Sequence, residues 1–462
     1  MSKSDRGSLL FVLFATCVTA MGGFLFGYDT AVINGANSYI KAHWSLSDVQ
    51  EGLVGASAIL GCIPGAMFAG WLSDRFGRKR MLFLCAILYG LSAILFLPAL
   101  TPNLNTFLIA RFICGLGIGA SSMICPVYIA ELAPEKWRGR LGTLFQLGIV
   151  VGIFLTLFVN KVVQGCGNEA WNVDIGWRWM LGIGALPALL FIALLLGVPE
   201  SPRWLAQNNR EEEARQILFR VAGTIDGEKH MAEIREAIGQ EEGRFSELFE
   251  GAYIRPLVLA VVLMVCQQFC GINAIIYYST KIFKAAGADM TSAFSSSAWV
   301  GLVNVLATVV AISLVDKAGR RPLLLLGTAV QSLALGMIGW MFFANLSATQ
   351  PVVLFGCIIV FIAAFGLAIG PIGWLFCSEV FPNRVRGRAM SVAAMSVWIS
   401  CYIVAQTFPM LNDNPKIGPA YTFWVYAVVS LFSFVFVLFF IPETKGRTLE
   451  QIERYWKGRK DG

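Results

Sequence analysis

The chain has 462 residues, of which 56% are hydrophobic and only 14% are charged, and its mean hydropathy is +0.66. This composition excludes an ordinary soluble protein and predicts an integral membrane protein. Nucleic-acid binding would need the formal charge of +7 to be gathered on a soluble face, which the chain lacks.

Twelve apolar windows follow one another along the chain, and each approaches or exceeds the roughly 20 residues that a bilayer core of about 30 Å requires. The windows lie at 9–39, 48–72, 80–99, 104–130, 141–163, 178–198, 253–283, 292–315, 322–344, 351–378, 389–410 and 420–441. The sequence therefore predicts an all-α membrane protein with twelve transmembrane helices. Six of them form an N-terminal bundle (1–198) and six form a C-terminal bundle (253–441).

The segment between the bundles, residues 199–252, is rich in Glu, Arg, Lys and Gln. Ala214, Ile217, Leu218 and Val221 in this segment have the spacing of one helix face. This pattern predicts short amphipathic helices at the membrane surface.

Basic residues are concentrated in alternate short loops. The preference of Lys and Arg for the cytoplasmic side then places both termini, the 199–252 segment and the tail at 442–462 inside the cell.

Sequence motifs occur once in each half. The stretch from Glu131 to Arg138 returns as Glu379 to Arg386, and an Asp-x-x-x-Arg pair returns at the same relative place. Such a duplication predicts two bundles related by a pseudo-two-fold axis and is typical of transporters whose site lies between the halves.

The repeated charges lie at cytoplasmic helix ends, where they can form a gate with two states. The predicted gate residues are Asp74, Arg78, Glu131, Arg138, Asp316, Arg320, Glu379 and Arg386. Membrane topology alone would explain the basic residues, but it does not explain the acid at a fixed distance in both copies.

Two ionisable residues lie deep in apolar windows, Asp29 in the first span and Arg111 in the fourth. Charged residues at membrane depth are costly and normally face a wet interior and pair with one another. The functional interpretation is a carboxylate that gains and loses a proton while Arg111 competes for it. The alternative is a permanent structural salt bridge.

Uncharged polar side chains are concentrated in spans that could line a cavity. They are Gln146, Gln267, Gln268, Asn273, Tyr277, Tyr278, Asn304 and Trp374, the last of which follows a Gly370-Pro371 break in span ten. Amides donate and accept hydrogen bonds, which suits a ligand covered in hydroxyl groups, and an indole face suits the apolar patch of a sugar ring. A helix loosened near Gly271 could bring the span-seven groups to one lumen. Hydrogen bonding between helices explains any single amide about as well.

Ten of the eleven cysteines fall in apolar runs, so the sequence predicts neither a disulfide framework nor a metal site. No nucleotide loop or nucleophile–base pair stands out. We therefore expect no enzyme activity and no cofactor.

These motifs together resemble the sugar porters of the major facilitator superfamily over essentially the whole chain. The resemblance rests on Gly27 to Ile33, Asp74 to Lys79, Arg111, Tyr128 to Arg140, Pro199 to Trp204, Gln267 to Ala274, Asp316 to Arg321, Gly373-Trp374 and Pro442 to Gly446. It includes bacterial proton-coupled sugar symporters and mammalian facilitative glucose transporters.

The resemblance implies a hexose or pentose, such as glucose or xylose, bound by Gln146 from the N-terminal half. Gln267, Gln268, Asn273, Asn304 and Trp374 would bind it from the C-terminal half. It implies proton coupling at Asp29 with Arg111 as its partner, because facilitative members usually have an amide at this position, although some uniporters keep the acid. Ile153 and Val397 replace amides found in other members, and Val397 implies one missing hydroxyl contact.

We therefore expect a monomeric carrier in the lipid bilayer of a plasma or bacterial inner membrane. It would couple monosaccharide transport to protons by alternating access. The alternatives are a facilitative uniporter of the same sugars, a proton-coupled polyol or inositol carrier, and a membrane sugar sensor.

Overall fold

The computed structural model describes residues 7–98, 100, 103–134, 137–239, 245–249, 253–381 and 383–445, and the side chains of 138–140, 237–239, 245, 246, 316, 383 and 384 lie outside that description. The described residues are mainly helical. The α-helices are α1 (Leu9–Trp44), α2 (Asp48–Phe76), α3 (Arg78–Leu95), α4 (Leu104–Leu132), α5 (Arg138–Gln164), α6 (Glu169–Trp171), α7 (Trp177–Gly182), α8 (Ala185–Leu195), α9 (Pro202–Gln207), α10 (Glu211–Ala222), α11 (Thr224–Gly239), α12 (Ile254–Phe269), α13 (Ile272–Ala285), α14 (Met290–Ala318), α15 (Arg320–Phe343), α16 (Pro351–Leu367), α17 (Ile369–Val380), α18 (Asn383–Asn412) and α19 (Gly418–Phe440).

Eleven helical stretches in the described residues are long and apolar enough to cross a membrane. Helix α3 supplies the remaining predicted span; it has 18 residues and begins with three basic residues, Arg78, Lys79 and Arg80. Span six is continuous through α6, a π-helical turn (Asn172–Gly176), α7 and α8. Spans seven and ten are each made of two helices in series, α12 with α13 and α16 with α17.

The break in span seven lies at Cys270 and Gly271. Gly271 has a φ of +85° and a ψ of 15°, a left-handed conformation that glycine adopts without steric cost. A Cβ added at Gly271 would lie 2.5 Å from the ring of Tyr426. The loosening predicted near Gly271 is confirmed, and both backbone conformation and close packing require glycine there.

We expect Gly271→Ala to lower the melting temperature of the purified protein in detergent. A left-handed non-glycine residue costs roughly 1–2 kcal/mol, and the collision with Tyr426 adds to it. The matched control is Gly336→Ala in α15, where an added Cβ meets nothing within 4 Å and we expect no loss. Equal melting temperatures for the two variants would contradict this role of Gly271.

The break in span ten lies at Ala368, which has a φ of −126° and a ψ of −99°. It precedes the predicted break at Gly370-Pro371 by two residues, so that prediction was wrong in detail. Pro371 lies in the first turn of α17, where a backbone N–H would have no helical acceptor and proline is tolerated. The chain therefore bends just before the proline and resumes its helix with the proline inside the first turn.

The segment after span six forms three short helices, α9, α10 and α11, as the sequence predicts, and their position at the membrane surface stays a prediction. Ala214 and Leu218 are fully buried, Val221 is 3% exposed and Ile217 is partly buried. Ala214, Ile217 and Leu218 share a small apolar core with residues of α9 and α11, such as Trp204. The amphipathic pattern read from the sequence is confirmed.

By packing, the chain divides into two compact units. The first contains Met1–Tyr28, Gly61–Gly152 and Gly182–Glu242, and the second contains Asp29–Leu60, Ile153–Leu181 and Gly243–Gly462. Boundaries fall inside α1, α2, α5 and α7, so the second unit includes the later part of α1 and the beginning of α2. The predicted domain limits at 198 and 253 stay a prediction.

Candidate functional site

The first copy of the duplicated motif forms a charge cluster inside the first unit. The Arg78 guanidinium donates to both carboxylate oxygens of Glu131 at 3.1 Å and lies 2.8 Å from Asp74 Oδ1. The Ser201 hydroxyl donates to Glu131 Oε2 at 2.5 Å. Arg78 and Glu131 are mostly buried, with exposed side-chain fractions of 6% and 8%.

The second copy repeats this arrangement inside the second unit. Arg320 Nη2 donates to Glu379 Oε1 at 2.8 Å, and the Thr444 hydroxyl donates to Glu379 Oε2 at 2.6 Å. Arg386 donates to the carbonyl of Phe381 at 3.1 and 3.2 Å. The side chains of two further predicted gate residues, Arg138 and Asp316, lie outside the described residues.

A second carboxylate in each copy holds the start of a helix. Glu200 Oε1 accepts hydrogen bonds from the backbone N–H of Lys79 and of Ser201. Glu443 accepts from the N–H of Arg320 at 3.1 Å and of Arg321 at 3.0 Å. Because carboxylates are stabilised by unpaired N–H groups at helix starts, Glu200 fastens α3 and Glu443 fastens α15. We call these two contacts the glutamate clasps.

A glycine precedes the helix in each clasp. Gly77 has a φ of +96° and Gly319 a φ of +92°. A Cβ at either position would collide with the carboxylate of the clasp glutamate. The Gly in both Asp-x-x-Gly-Arg motifs is thus explained by backbone conformation and by the close approach of the carboxylate.

We expect Glu443→Gln to lower the melting temperature at neutral pH. Burial raises the pKa of Glu443, but the backbone N–H groups of Lys445, Arg320 and Arg321 together outweigh it and hold the pKa below its ordinary value. A carboxyl with a lowered pKa contributes stability above its unfolded pKa of about 4.3 and loses it as the pH falls through the folded value.

The melting-temperature difference between Glu443→Gln and the wild type should therefore shrink as the pH falls below about 4.3. Glu236→Gln, at an exposed position of α11, is the control and should behave as the wild type. A difference that stays constant down to the lowest pH at which the protein remains folded would contradict this role.

Three predicted amides form a continuous hydrogen-bonded chain inside the second unit, which we call the amide chain. Gln267 Nε2 donates to the carbonyls of Ile369 and Gly370 at 2.8 and 2.9 Å. Gln268 Nε2 donates to Gln267 Oε1 at 3.1 Å, and Asn273 Nδ2 donates to Gln268 Oε1. The break at Gly271 allows groups from α12 and α13 to meet in this way.

The two tyrosines after the break have different surroundings. Tyr278 donates its hydroxyl to the carbonyl of Ala405 at 2.9 Å, and its ring stacks on Phe408 with centroids 5.0 Å apart. The Tyr277 hydroxyl lies 3.9 Å from Cys401 Sγ, which also accepts a hydrogen bond from Asn273 at 3.1 Å. Tyr277 therefore lies closer to the amide chain, and the substrate-binding role of Tyr278 stays a prediction.

The other predicted binding residues lie on three helices. Asn304 of α14 is 4% exposed, and a Cβ at Gly366 of α16 would approach its Oδ1 to 3.2 Å. Trp374 of α17 is partly buried and packs against the apolar core of the second unit. Gln146 of α5 is partly buried and belongs to the first unit.

Asp29 and Arg111, the predicted coupling pair, are both buried. Asp29 is 9% exposed in α1, and Arg111 is 2% exposed in α4. Asp29 belongs to the second unit and Arg111 to the first. Their burial agrees with their position in apolar windows, and their pairing stays a prediction.

A further ionic network, which the sequence reasoning missed, joins four helices of the second unit. Lys281 Nζ lies 2.7 Å from Glu51 Oε1 and 2.6 Å from Asp413 Oδ2. Lys41 Nζ lies 2.6 Å from Glu51 Oε2, 2.7 Å from Asp48 Oδ1 and 3.4 Å from Asp413 Oδ2. We call this group the five-charge cluster.

Glu51 is the most deeply buried member of the five-charge cluster, because its side chain is only 1% exposed. The three carboxylates lie within 4.8 Å of one another, and the two lysine ammonium groups offset two of their three negative charges. Burial raises the pKa of Asp413, but hydrogen bonds from Lys281 and Asn412 outweigh it and lower that pKa below its ordinary value.

Asn34 of α1 also contacts α13, at residues that lie closer to the Gly271 break than Lys281 does. Its Nδ2 donates to the carbonyl of Ile276 at 2.6 Å and to the Ser279 hydroxyl at 2.7 Å. Its Oδ1 accepts from the N–H and the hydroxyl of Thr280. Together with Lys281, these contacts fasten the second half of span seven to α1, α2 and α18.

Opposite charges at the ends of several apolar windows were the available signal for the five-charge cluster. Lys41, Glu51, Lys281 and Asp413 all lie near window limits on the side opposite to the termini. The apolar windows indicated only Asp29 and Arg111 as ionisable residues at membrane depth. Glu51 is more deeply buried than Asp29 and was not predicted.

The chain matches a family model and known relatives over nearly its whole length. The family model described as "Sugar (and other) transporter" matches residues 15–456. The arabinose-proton symporter of Bacillus subtilis (strain 168) is 41% identical over 450 residues, covering 97% of this chain and 96% of the symporter.

Solved structures of similar fold cover nearly the whole chain. The partially occluded inward-open structure of the xylose transporter XylE from E. coli has a TM-score of 0.85 and 33% identity, covering 95% of this chain and 100% of that one. The proton:xylose symporter XylE bound to 6-bromo-6-deoxy-D-glucose has a TM-score of 0.82 and 35% identity, covering 97% and 99%. The predicted class, an all-α membrane fold of twelve helices in two bundles, is confirmed. The extent of the family match and the identity to these relatives show that the chain belongs to the sugar (and other) transporter family.

Proposed function

We propose that the protein carries a monosaccharide, a pentose or a hexose, across the cell membrane together with a proton by alternating access. The observation that carries the substrate class is the amide chain of Gln267, Gln268 and Asn273, a run of neutral hydrogen-bonding groups beside a broken membrane helix. Hydroxyl-rich ligands require such groups because each sugar hydroxyl both donates and accepts. The similarity to an arabinose-proton symporter and to a proton:xylose symporter supports the same class.

The proposed sugar site includes residues from both halves of the chain. Its members are Gln146, Gln267, Gln268, Asn273, Tyr278, Asn304 and Trp374. The amides would bind hydroxyl groups, and the Trp374 indole would face the apolar side of the ring. Val397 is 6% exposed in α18, and its apolar side chain removes one hydroxyl contact, which is worth about 1 kcal/mol.

Asp29 would take up and release the coupled proton, with Arg111 as the charge that competes for its carboxylate. A proton gradient can drive uptake only if protonation changes the relative stability of the two access states. A buried carboxylate supplies such a difference, because its charged form needs a cationic partner or water and its neutral form does not.

Gating at the cytoplasmic side is assigned to the two duplicated charge clusters. Their proposed members are Asp74, Arg78, Glu131, Arg138, Asp316, Arg320, Glu379 and Arg386. The basic residues of these loops place both termini inside by the positive-inside rule. With this orientation, the five-charge cluster faces the outside.

Uptake into proteoliposomes tests the proposal. Purified protein is reconstituted with an alkaline lumen, and labelled D-xylose, L-arabinose, D-glucose, D-galactose and myo-inositol are added at acidic external pH. We expect at least one monosaccharide to accumulate above its external concentration and to leak out when a protonophore is added.

Three other results would redirect the assignment. Equal uptake with and without the pH gradient would mean facilitated uniport. Accumulation of myo-inositol alone would mean a polyol carrier. Binding of a sugar without any transport would mean a sensor, and all three results would contradict monosaccharide symport.

A further inference from the structure

His43, one of the two histidines of the chain, lies in the last turn of α1 between two charged residues of span six. Its Nδ1 is 3.7 Å from Asp174 Oδ1, and its Nε2 is 3.5 Å from Arg178 Nη2. Asp174 belongs to the π-helical turn of span six, and Arg178 belongs to α7. The imidazole therefore has a carboxylate on one side and a guanidinium on the other.

Aromatic rings pack around this imidazole. The ring centroid of His43 lies 5.5 Å from that of Trp44 and 5.8 Å from that of Trp177. The Arg178 guanidinium lies over the Trp177 ring, 4.5 Å from its centroid, and its Nε donates to the carbonyl of Asp174 at 3.1 Å. Trp177 is fully buried and Arg178 is 4% exposed. These contacts hold the guanidinium in place beside the imidazole.

The Arg178 guanidinium determines where neutral His43 carries its hydrogen. A guanidinium is always charged and can only donate, so Nε2 of His43 must be the acceptor and must carry no hydrogen. The single ring hydrogen of neutral His43 then lies on Nδ1, the nitrogen that faces Asp174. A second proton would bind at Nε2, where it would face the hydrogens of Arg178.

Protonation of His43 would therefore exchange one partner for the other. Nε2 would no longer accept from Arg178, and two positive groups would lie side by side. The charged ring would attract Asp174 more strongly, and the Asp174 side chain is 73% exposed and free to follow it. Lys41, two residues earlier in α1, contacts the carboxylates of the five-charge cluster instead. In the part of the chain that the structure describes, the charged groups that face His43 thus come from span six.

This histidine is separate from the proposed coupling carboxylate. At 1.5 Å per residue, Asp29 lies about 21 Å from His43 along α1. His43 lies at the same end of α1 as Lys41, and its side chain is 24% exposed. Protons can therefore reach it from the side that the five-charge cluster faces. Histidine is also the side chain whose charge ordinarily changes between pH 5 and 8.

We propose that His43 is a regulatory proton-binding site at the outer ends of spans one and six, distinct from the site of the transported proton. Neutral His43 keeps the end of α1 fastened to Arg178. Acid outside the cell protonates His43, this contact is lost, and both helix ends loosen. Because span one also carries Asp29, release of its outer end speeds the carrier when external protons are abundant. The effect on transport rests on the proposed function, whereas the proton site does not.

Nitrogen NMR of the protein with isotope-labelled histidine tests the proton site directly. His230→Gln leaves His43 as the only histidine. At a pH of about 8 we expect a neutral ring with its hydrogen on Nδ1, and at a pH of about 5 a cationic ring. A neutral ring with its hydrogen on Nε2 would overturn the proposal. A ring that keeps one charge state over this range would overturn it as well.

Hydrogen exchange of residues 172–182, followed by mass spectrometry, tests the loss of the contact with Arg178. His43→Gln keeps an acceptor for the guanidinium but cannot gain a charge. At a pH of about 5.5 we expect this segment to exchange about fivefold faster in the wild type than in His43→Gln, which corresponds to one lost hydrogen bond of about 1 kcal/mol. At a pH of about 8 the two proteins should exchange equally.

Two further variants complete this comparison. His230→Gln removes the other histidine and should exchange as the wild type at both pH values. His43→Lys carries a permanent charge and should exchange fast at both. Equal exchange of the wild type and His43→Gln in acid would refute the switch. If His43→Lys does not fold, the comparison with His43→Gln still decides.

Sugar exchange in proteoliposomes tests the effect on transport. It is measured with Asp29→Asn, so that titration of Asp29 does not contribute. Exchange should be faster at an external pH of about 5.5 than at about 7.5, and adding His43→Gln should abolish this difference. Equal rates in Asp29→Asn, or a difference that survives His43→Gln, would overturn the regulatory role. A wild type that exchanges no sugar would refute the proposed function, whereas NMR and hydrogen exchange would still decide whether His43 is a proton switch.

Discussion

We expect Asp29→Asn to abolish accumulation of sugar against its gradient while exchange of sugar across the membrane continues. Asparagine keeps the size of the side chain but cannot gain or lose a proton. A gradient of one pH unit is worth about 1.4 kcal/mol per proton, so symport with one proton can hold about a tenfold sugar gradient. The wild type should approach that ratio in proteoliposomes, and Asp29→Asn should stay near equal concentrations.

A second carboxylate provides the control for this experiment. Asp289 is exposed and accepts a hydrogen bond from the N–H of Ser292 at the start of α14. Asparagine caps a helix as well as aspartate does, so Asp289→Asn should accumulate sugar as the wild type does. Accumulation by Asp29→Asn at the wild-type level would refute proton coupling through Asp29 and leave sugar transport itself untouched.

The second large effect is expected from Lys281→Glu, which reverses one charge in the five-charge cluster. The cluster would then hold four carboxylates and a single ammonium group, with the buried Glu51 facing a negative charge at the former Lys281 position. Removing one partner of a buried ion pair typically costs about 3–5 kcal/mol, and reversal adds repulsion. We expect at least a tenfold loss of transport and a clear fall in melting temperature.

Lys284→Glu is the matched control, because it makes the same reversal at an exposed position one turn further along α13. It should retain most of the transport activity. A second comparison isolates the ion pairing. Adding Asp413→Asn to Lys281→Met removes one charge of each sign and should restore part of the stability lost in Lys281→Met alone. Equal losses in the single and double variants would contradict pairing between Lys281 and Asp413.

The transmembrane helices could be predicted because a bilayer imposes a length and a composition on each span. The amphipathic helices of the 199–252 segment could also be predicted, because apolar residues recur in α10 at the spacing of one helix face. The position of the span-ten break was wrong by two residues. A proline indicates that a helix is perturbed nearby, but it fits the first turn of a new helix as well as the break itself.

The sequence indicated which polar residues belong to the site, but it did not indicate their hydrogen-bond partners. Gln267, Gln268 and Asn273 stood out because amides are unusual in apolar windows. That Gln267 would donate to backbone carbonyls 102 and 103 residues away depends on how two broken helices pack, which no local pattern specifies. Cys401 was missed as a partner of Asn273 for the same reason. It lies one turn after Val397, the position where the sequence indicated a missing amide.

The five-charge cluster shows the same limit at larger sequence separation. Lys41 and Asp413 are 372 residues apart, and each alone is an ordinary charge near the end of a span. Only the assembled helices show that Lys41 and Lys281 share the buried carboxylate of Glu51 and that both also contact Asp413. Charges of opposite sign at the same end of several spans are therefore a useful signal for contact, although they do not specify the partners.

The glutamate clasps have a consequence for biosynthesis. Each joins the third span of a half to the residues that directly follow its sixth span, so a half cannot complete its clasp until all six of its spans have been made. Glu200 leaves the ribosome about 240 residues before Glu443, which at roughly 5–20 residues per second is roughly 10–50 seconds. The clasp of the early half can thus form while the late half is still being translated.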